Sequence, residues 1–356
     1  MKRYVLAVVM LFCYVDLFAQ LNLSNASRIK DIIYNVVDEY TGEIVSFIKV
    51  NDFYDGTKMQ LSKCDNVIYI RYENNFYKRV YGEHINIKWF GCNENRSDNQ
   101  LLINEVLRKY KSATIPIGTF PISGSIIIPE KAQLRGYGRN SIIKLKSTIP
   151  VDGIVVYRGA VVKDFNFYCT ETALDLKAAI LIIPWHNNSS RGEETILQNL
   201  FLIGDYPHLQ GVGIKLQILK DNDQYSLIAF SKFLNINIYG FRDGIFCVLD
   251  YKGGNGISYI NANIFNNITI YNCLRPIRLI NSGKKEDVLA GKSTIMSNSF
   301  SDIIVQHVVG DYPAIYADGA VSNNFTTQII DWSVSHLQET SKSSSNILNN
   351  LTPSKR

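Results

Sequence analysis

A segment of six residues occurs five times between residues 162 and 305, and this repeat constrains the fold more than any other feature. The copies are Val162–Phe167, Leu197–Leu202, Phe233–Ile238, Phe265–Ile270 and Phe300–Val305. Each copy starts with an apolar residue and has Asn or Asp at its third position. These Asn or Asp positions are 35, 36, 32 and 35 residues apart, a period typical of solenoids and propellers.

Each repeat continues with two further apolar segments. The second segments are Ala179–Ile182, Gly213–Leu216, Gly244–Cys247, Pro276–Leu279 and Ala314–Ala317. The third, weaker segments are Tyr225–Phe230, Tyr259–Ala262, Ile295–Ser297 and Ala320–Ser322. Three short alternating segments predict one coil of a parallel β-helix, whose inward face is buried by stacking on the next coil. A helical solenoid is disfavoured by the lack of helical periodicity, and a propeller blade needs four strands.

The recurring Asn or Asp favours a structural role. Its side chain can hydrogen-bond the backbone of a tight turn, and it tolerates left-handed geometry. Stacked copies would form a ladder along the solenoid. We therefore prefer a turn ladder over a catalytic role for Asp164 and Asp302.

The first 19 residues are typical of a secretory signal peptide. Lys2 and Arg3 precede an apolar run from Tyr4 to Val15, and Ala19 is a small residue suited to cleavage. The run is shorter than the ~20 apolar residues that span a bilayer. We therefore expect an exported chain without a membrane span, located in the periplasm, at the cell surface or in the medium.

Composition argues against several other classes of protein. A net charge of +5 is small for 356 residues, and it is spread along the chain, which disfavours a nucleic-acid partner. One of the six cysteines, Cys13, lies in the apolar run, and the other five show no CxxC spacing. The histidines show no metal-ligand spacing either. The sequence therefore predicts neither a disulfide framework nor a metal site.

Residues 20–84 form a separate, aromatic-rich preface. Val67–Tyr72 and Phe76–Tyr81 alternate on either side of Glu73–Asn75, which predicts a β-hairpin. We expect a small β-rich module that packs its aromatic residues on the end of the solenoid. An independent carbohydrate-binding surface is the alternative.

Residues 85–145 carry an ordered set of motifs. They are Ile85–Gly91, Ser97–Gln100, the helical segment Leu101–Tyr110, Ala113–Ile122, Ile126–Pro129 and Gln133–Gly138. This order resembles the start of the pectate-lyase superfamily, which includes polysaccharide lyases, glycoside hydrolases and phage tailspikes. The resemblance implies a right-handed parallel β-helix over residues 85–336. Between Gly91 and Ser97 the chain departs from the glycine-rich, acidic stretch of the family, which affects a structural segment only.

Both ends of the predicted solenoid need protection from solvent. At the start, the helical segment is expected to cap the first coil, with Ser97 or Asp98 as its N-cap. Its amphipathically spaced residues are Leu101, Leu102, Val106 and Leu107. At the far end, residues 337–356 are polar and are expected to form a disordered tail. At most part of one coil is then expected after residue 325.

The second segment of each repeat predicts a groove. If its central Ile or Leu points inward, the next residue points outward. The outward row is Leu181, Lys215, Phe246, Arg278 and Tyr316. Cations and aromatic rings stacked in this way suit an acidic polysaccharide, because Lys and Arg pair with uronates and rings stack on pyranoses. An ordinary solvated face is the alternative. Trp185, on a loop expected to wall the groove, would stack on sugars if it is exposed.

Two reactions remain open at this groove. A glycoside hydrolase needs two carboxylates flanking the bond, and the unpaired candidates are Asp250, Asp318, Glu193 and Glu194. A lyase needs a base and often Ca2+ on acidic residues, and the candidate bases are Lys215, Arg242, Lys252, Arg275 and Arg278. The candidate catalytic residues chosen from these sets are Lys215, Arg278, Asp250 and Asp318. The candidate substrate-binding residues are Trp185, Phe246 and Tyr316.

The family resemblance does not decide between these reactions. Polygalacturonase-type relatives carry Asn-Thr-Asp, paired Asp and His-Gly signatures, and this sequence lacks all of them. We therefore expect a secreted polysaccharide-active β-helix, lyase or hydrolase, with Ca2+ as a cofactor only if it is a lyase. The rival is a non-catalytic β-helix that binds glycan or forms a surface structure. Tailspike relatives are trimers, so the resemblance leaves a homotrimer open.

Overall fold

The computed structural model describes residues 21–24, 26–169, 176–186, 194–220, 225–251, 256–306, 312–329 and 336–350. The expected signal peptide lies outside these ranges. The chain divides into two compact units, Met1–Asn93 and Glu94–Arg356. The division falls later than the expected boundary at residue 84, because the segment around Trp89 packs into the first unit. The guanidinium of Arg79 lies 4.0 Å from the centroid of the Trp89 ring, whose Nε1 donates to Glu43.

The first unit is built on an antiparallel sheet. Its strands are β1 (Leu21–Asn22), β2 (Ser27–Ile29), β3 (Ile32–Asp38), β4 (Ile44–Val50), β5 (Tyr69–Tyr72) and β6 (Asn75–Arg79), with 3₁₀ turns at Leu61–Lys63 and Ile87–Phe90. The order is β1-β3-β4-β6-β5, and β2 pairs with β3. Antiparallel pairing of β5 with β6 confirms the predicted hairpin. Tyr77 is fully buried in the core of this unit, beside Ile33 and Phe47.

The second unit consists mainly of short strands. It begins with α1 (Gln100–Tyr110), and a short helix, α2 (Lys285–Leu289), comes later. Its strands are β7 (Ser112–Ile115), β8 (Gly118–Ile122), β9 (Ile126–Ile128), β10 (Gln133–Gly136), β11 (Ser141–Leu145), β12 (Asp152–Val156), β13 (Val161–Tyr168), β14 (Ala178–Ile182), β15 (Ile196–Ile203), β16 (Gln210–Lys220), β17 (Ser226–Ala229), β18 (Lys232–Tyr239), β19 (Phe241–Tyr251), β20 (Ser258–Asn261), β21 (Ile264–Tyr271), β22 (Arg275–Asn281), β23 (Ser293–Met296), β24 (Ser299–Gln306), β25 (Ile315–Asp318), β26 (Ala320–Val321), β27 (Asn324–Ile329), β28 (Leu337–Glu339) and β29 (Ile347–Asn350). Within the described ranges, no helix has the length and apolar character needed to cross a membrane.

These strands form three parallel sheets. The first sheet runs β29-β27-β24-β21-β18-β15-β13-β10-β7, with β11 and β8 paired beside β13. The second sheet runs β28-β25-β22-β19-β16-β14-β12-β9, and the third runs β17-β20-β23-β26. One coil visits the three sheets in turn, as β18, β19 and β20 do before the chain returns to the first sheet at β21. The predicted right-handed parallel β-helix, with three strands per coil, is confirmed.

The first residue of the repeat forms a continuous stack inside the solenoid. The rings of Phe233, Phe265, Phe300 and Phe325 are nearly parallel, with successive centroids 4.4, 4.4 and 4.7 Å apart. All four side chains are fully buried. Their spacing matches the ~4.8 Å between neighbouring strands. Each contact adds about 0.5–1.5 kcal/mol to the burial of the rings.

The recurring Asn or Asp lies at a left-handed bend within the strands β13, β15, β18, β21 and β24 of the first sheet, where φ is between 53° and 65°. The first four copies bond to one another, whereas Asp302 accepts from Nδ2 of Asn266 at 3.1 Å instead. Nδ2 of Asn199 donates to Oδ1 of Asp164 at 2.7 Å, and Asn235 donates to Asn199 at 3.1 Å. Asn267 donates to Asn235 at 2.9 Å. The predicted turn ladder is confirmed, since short polar side chains tolerate this backbone region. We call Asp164, Asn199, Asn235 and Asn267 the outer ladder.

A second ladder is buried and was not predicted from the sequence. It lies two residues before the start of the repeat and consists of Asn263, Asn298, Asn323 and Asn346. Nδ2 of Asn263 donates to Asn298 at 2.9 Å, Asn298 to Asn323 at 2.8 Å, and Asn323 to Asn346 at 2.9 Å. The same Oδ1 atoms accept backbone N–H groups from the preceding coil. We call this set the inner ladder.

Helix α1 covers the edge strands at the start of the solenoid. Nδ2 of Asn104 donates to the carbonyl of Ser125 at 3.0 Å, and its Oδ1 accepts from the N–H of Ile127 at 2.8 Å. These bonds occupy backbone groups beside β9, the last strand of the second sheet, which would otherwise be an open edge. The predicted capping helix is therefore present, and its cap uses hydrogen bonds as well as apolar packing.

The buried face of α1 differs from the prediction at one position. Leu102, Val106 and Leu107 are buried as predicted, but Leu101 is 74% exposed, so its assignment to the core face is wrong. Ile103 is buried instead, because it shares a face with positions three and four residues further on. The N-cap of the helix is Asn99, so the prediction of Ser97 or Asp98 is wrong at this position, although Oδ1 of Asp98 accepts from the N–H of Gln100 at 2.9 Å.

The solenoid continues into residues that were expected to be disordered. β28 pairs with β25, β29 pairs with β27, and Ser344 bridges to Val321. The predictions of a disordered tail and of at most part of a coil after residue 325 are therefore wrong for residues 337–350. Polar composition misled the prediction, because polar residues such as Asn346 are held here by the inner ladder rather than by apolar burial.

Candidate functional site

The predicted outward row exists on the second sheet with the predicted register. Leu181 pairs with Lys215, Lys215 with Phe246, Phe246 with Arg278, and Arg278 with Tyr316. The neighbouring inward residues of each strand are fully buried, namely Ile214, Ile245, Ile277 and Ile315. Alternation between core and surface therefore places one member of the row on each of the strands β14, β16, β19, β22 and β25. The predicted exposure is wrong for Leu181, which is 8% exposed and packs with Ala178 and Val212. What this row does is a separate question that the register alone does not answer.

A buried carboxylate organises the cations of this face. Asp243 is fully buried in β19 and lies against three guanidinium groups. Nε of Arg275 is 2.7 Å from Oδ1, Nη1 of Arg278 donates to Oδ1 at 3.2 Å, and Nε of Arg242 donates to Oδ2 at 3.1 Å. One negative charge thus holds three positive charges at the surface, which leaves the cluster cationic.

The held guanidinium groups also lie over aromatic rings. Cζ of Arg278 is 4.7 Å from the centroid of the Phe246 ring, and Cζ of Arg275 is 5.8 Å from that of Tyr312. Beside them is a cavity of about 330 Å³ whose lining includes Tyr316 and Asp318. Cation–π contact of this kind fixes a guanidinium in place while its outer edge can still donate hydrogen bonds.

A second cavity adjoins Lys215, further toward the start of the solenoid. It has a volume of about 430 Å³, and its lining includes Lys177, Lys215, Arg242 and Phe246. Burial lowers the pKa of Lys215; Asp152 opposes this effect, and the nearby charges of Arg242 and Lys177 add to it. Burial also raises the pKa of Asp152, against the charges of Lys215 and Lys177. Shifted groups of this kind beside a cleft mark a candidate site for proton transfer.

The candidate carboxylates are not brought together as a pair. Asp318 lies in the lining of the first cavity, where Thr340 donates to it at 2.7 Å and Nζ of Lys342 lies at 3.2 Å. Asp250 accepts from the hydroxyl of Ser282 at 2.9 Å. Register places Asp250 two strands and two residues from Asp318, about 12 Å between Cα atoms. Glu194 is bound by Lys232, and Glu193 lies outside the described residues.

Trp185 is not exposed in the groove. Its side chain is 7% exposed, its backbone bridges to Leu227, and the guanidinium of Arg158 lies 5.4 Å from the ring centroid. The prediction that Trp185 stacks on sugars is therefore wrong. The large apolar surface of the indole favours burial even though Trp185 lies on a loop. Phe246 and Tyr316 are half-buried, and Phe246 packs against the buried cluster of Ala178, Leu181 and Val212.

The described residues offer no calcium cage. Nowhere in these ranges do three His, Cys, Asp or Glu side chains converge as metal ligands would. Among the described acids of the second sheet, Asp243 and Asp318 are bound by cations, Asp250 accepts from a hydroxyl group, and Glu339 accepts from the amide of Asn346. Ca2+ therefore has no fitting set of ligands among the described residues. Lys252, one of the candidate bases, lies outside the described residues, as do parts of the loops expected to wall the groove.

Three residues of the site were missed or undervalued by the sequence analysis. Asp243 aligns with Arg275 across neighbouring strands, two residues before the inward Ile of each. The constant distance of these two residues from the inward Ile could have been read from the sequence. Asp152 lies at the same offset, two residues before the inward Ile154, and therefore offered the same signal. Lys177 precedes its strand and offered none. Their effect on Lys215 emerges only from the three-dimensional arrangement.

Comparison with protein-family models and with curated proteins finds no match. Solved structures do match. Tailspike protein 2 from the Escherichia coli O157:H7 bacteriophage CAB120 is 11% identical, with a TM-score of 0.54, over 85% of this chain and 38% of that one. The enzymatically active domain of tailspike protein 4 from bacteriophage CBA120 is 12% identical, with a TM-score of 0.50, over 95% of this chain and 48% of that one.

The chain therefore spans less than half the length of these two structures. At such low identity, the likeness concerns the fold and not an activity. The parallel β-helix that the resemblance over residues 85–145 implies is confirmed as a fold. The chain has the parallel β-helix found in phage tailspike proteins.

Proposed function

We propose that the chain is an exported protein that binds an acidic polysaccharide along its second sheet and cleaves it by β-elimination. One observation carries this proposal. Lys215, with its lowered pKa, shares a cavity with Lys177 and Arg242 and continues into the row of Phe246 and Arg278. A base, carboxylate-binding cations and a stacking ring then lie side by side on a rigid sheet.

The polymer class follows from charge and spacing. Neighbouring strands are ~4.8 Å apart, so the row presents a new side chain to each successive part of an extended chain. The guanidinium groups of Arg275 and Arg278 remain partly accessible, with 21% and 18% of each side chain exposed. They can pair with uronate carboxylates in the two-pronged manner typical of arginine. Phe246 and Tyr316 supply faces for pyranose rings.

The proposed reaction is a β-elimination. Neutral Lys215 takes the proton at C5 of a uronate, and the electron pair forms the C4–C5 double bond. The C4–O bond breaks, and the departing oxygen takes a proton from solvent. Lys177 and Arg242 neutralise the uronate carboxylate, which makes the C5 proton more acidic. A lysine acts as a base only when it is neutral, so the lowered pKa of Lys215 favours this role.

A hydrolase is less well supported. It needs two carboxylates about 5–9.5 Å apart across the bond. Asp250 and Asp318 are each bound to other side chains and are not placed as such a pair. In the proposal, Arg278, Phe246 and Tyr316 bind substrate. Asp318 orients groups at the edge of the cavity, and Asp250 has no role in the reaction.

A non-catalytic glycan-binding β-helix is the second candidate. It is favoured by the pairing of Asp243 with Arg242, Arg275 and Arg278. This pairing holds the cations in place, and binding of an acidic glycan needs no more than that. Export follows the predicted signal peptide, and a homotrimer follows the resemblance to tailspikes. Both belong to the proposal, and N-terminal sequencing of the exported protein and light scattering in solution test them.

The experiment incubates the full chain with acidic and neutral polysaccharides, with and without Ca2+. It follows unsaturated uronyl ends by absorbance and new reducing ends in parallel. Lys215→Met is the test variant. Lys163→Met is its control, because Lys163 lies on the first sheet away from this groove. We expect both signals to rise with an acidic substrate, to be lost in Lys215→Met and to be retained in Lys163→Met.

Each other outcome has a defined meaning. Reducing ends without unsaturated ends establish a hydrolase and contradict the lyase proposal. Absence of both signals, combined with retention on an acidic polysaccharide column, leaves the binding protein. Activity that is unchanged in Lys215→Met removes Lys215 from the reaction.

A further inference from the structure

The first sheet carries a groove that differs in chemistry from the second sheet. Its volume is about 360 Å³. Its lining side chains include Asp164, Asn166, Asn199, Phe201, Asn235, Asn237, Asn267 and Thr269. We call this the amide groove. The cationic row of the second sheet contributes nothing to this lining, so the two surfaces can be changed independently.

Two parallel rows of side chains line the amide groove, and a third row lies beside it on the same sheet. The outer ladder is the first row, and its asparagines are exposed. The second row follows the register Asn166, Phe201, Asn237 and Thr269 across β13, β15, β18 and β21. The third row includes Tyr239 paired with Tyr271. Amides and hydroxyls therefore alternate with aromatic surface at the ~4.8 Å spacing of the strands.

The polar groups of the groove retain hydrogen-bonding capacity. Each ladder amide uses one Nδ2 hydrogen for its neighbour, as Asn235 does for Asn199, and an amide has two. Among the residues that the structure describes, the amide of Asn237 and the hydroxyl of Thr269 make no hydrogen bond to the protein. Both side chains are half-buried and line the groove. They are therefore available to hydroxyl groups of a ligand.

The aromatic side chains form a continuous strip beside these amides. The ring centroids of Tyr239 and Tyr271 are 4.8 Å apart, and those of Phe201 and Tyr271 are 6.5 Å apart. Tyr206 extends the strip, with its ring 5.7 Å from that of Tyr239. All four side chains are at least partly exposed. Rings of this kind offer an apolar body and a polar tip, which suits the mixed faces of a sugar.

Charge excludes the acidic ligand assigned to the second sheet. The charged residues of the amide groove are Arg139 and Asp164, which have opposite signs. No excess of cations is available there to neutralise a row of uronates. Amides, a hydroxyl and aromatic rings are instead the groups that bind uncharged hydroxyl-rich ligands.

We propose that the amide groove is a second carbohydrate-binding surface, which takes an uncharged chain of pyranose sugars. The row of cations and the amide groove then contact different sugars, or different parts of one polymer with charged and uncharged units. This surface does not depend on the reaction proposed for the second sheet. Its role would persist if Lys215 proved inactive.

The test measures binding of neutral hexasaccharides, namely cellohexaose, mannohexaose, maltohexaose and galactohexaose, to the full chain by titration calorimetry. Hexagalacturonate is the charged comparison. The groove variant combines Asn237→Ala with Thr269→Ala. Because neither side chain bonds within the described protein, we expect the variant to fold normally, which thermal unfolding checks. Gln198→Ala is the matched control, since Gln198 lies on the same sheet in the row of Lys163, outside the groove lining.

We expect at least one neutral hexasaccharide to bind, and the groove variant to weaken it about tenfold, which is the loss of one or two hydrogen bonds. Gln198→Ala and Lys215→Met should stay within about twofold of the unchanged protein. High ionic strength should leave this binding intact while it weakens hexagalacturonate, because only the second complex depends on ion pairs.

Three outcomes overturn the proposal. The first is that no neutral hexasaccharide binds. The second is that binding is equal in the groove variant and the unchanged chain. The third is that binding is lost in Lys215→Met, which would place neutral sugars on the second sheet. Loss of hexagalacturonate binding alone would count against the proposed function of the second sheet and leave the amide groove standing.

Discussion

Asp243 determines where the cations of the second sheet can be. A carboxylate with no exposed surface is stable only when it is paired, and this one is paired with Arg242, Arg275 and Arg278. The pairing holds long, flexible side chains in one arrangement before any ligand arrives. Binding then loses less side-chain entropy than it would on a surface of free arginines.

Replacing this carboxylate should destabilise the solenoid. Asp243→Asn keeps the shape of the side chain but removes its charge, so three guanidinium groups repel one another around a neutral amide. We expect a loss of about 3 kcal/mol in the free energy of unfolding, the lower part of the range for breaking a buried ion pair, since the arginines can turn to solvent. Denaturant unfolding measures it. Asp250→Asn, at a half-buried site with one hydrogen bond from Ser282, should change stability by less than about 1 kcal/mol.

Two substitutions near Lys215 should shift its pKa in opposite directions. Asp152 favours the charged ammonium, so Asp152→Asn should lower the pKa of Lys215 further. Arg242 disfavours it, so Arg242→Gln should raise this pKa. Titration of the lysine Nζ signals by ¹⁵N NMR measures both, with Lys163 as the internal reference. Shifts of the same sign in the two variants would contradict the arrangement of charges described for this cavity.

The same lowered pKa sets the pH dependence of stability. Burial disfavours the charged form of Lys215 in the folded chain, so its pKa is below the ordinary 10.5. Between these two values the unfolded chain binds more protons, and the contribution of Lys215 to stability improves as pH rises. Lys215→Met, which never carries this charge, should therefore gain relative stability at neutral pH and lose that advantage as pH approaches 10.5.

At the scale of single residues, the sequence predicted on which face a side chain lies better than it predicted the burial and electrostatic surroundings of that side chain. Alternation placed Lys215, Phe246, Arg278 and Tyr316 on one face, because a strand has a strict period of two. Alternation could not show that Trp185 is buried, since a loop has no fixed period. Nor could it show the electrostatic effect of Asp152 on Lys215, which depends on the distance between separate coils.

At the scale of elements, two asparagine ladders fix the coils to one another, and they do so in different surroundings. Asn235 of the outer ladder is exposed and can exchange its bonds with water. Asn298 of the inner ladder is 1% exposed, and its amide bonds Asn323 and the carbonyl of Ile260. An unpaired polar group is far more costly in the second setting.

Removing one amide from each ladder should therefore lower the free energy of unfolding by unequal amounts. Asn298→Ala leaves the backbone N–H of Asn263 and the carbonyl of Ile260 without their partner inside the solenoid. We expect a loss of about 3–4 kcal/mol, from two or more buried groups left unsatisfied. Asn235→Ala should lose about 1–2 kcal/mol, mainly from its left-handed backbone. Equal losses in denaturant unfolding would show that burial does not distinguish the two ladders.

The outer ladder was predictable and the inner ladder was not, for a simple reason. The outer positions are always Asn or Asp, since the left-handed bend restricts the residue type. The inner positions sit two residues before the repeat, but Thr195 and Ser231 occupy them in earlier coils. Residue type varies there because any small polar side chain can fill the place. A search for residues at a constant distance from the start of the repeat, without a fixed residue type, would have found the inner ladder.

At the scale of the whole molecule, the solenoid separates two chemistries on different sheets of one rigid body of coils. Cations and rings lie on the second sheet, and amides and rings lie on the first. The amide groove is lined by residues between Gly138 and Thr269, whereas the row of the second sheet continues to β28, where Gln338 pairs with Tyr316. The last coil, with β28 and β29, therefore extends the surface of the second sheet and also covers the edges of β25 and β27.

A chain ended after residue 336 should reveal what this last coil contributes. It lacks β28, β29 and Asn346, so Asn323 loses the amide partner that ends the inner ladder. The backbone edges of β25 and β27 become open to other chains. We expect a lower thermal midpoint, by about 5 °C or more, and increased light scattering on heating. A chain ended after residue 350 keeps every described strand and is the matched control. Identical midpoints for the two truncated chains would mean that residues 337–350 add nothing to the solenoid, contrary to the pairing seen here.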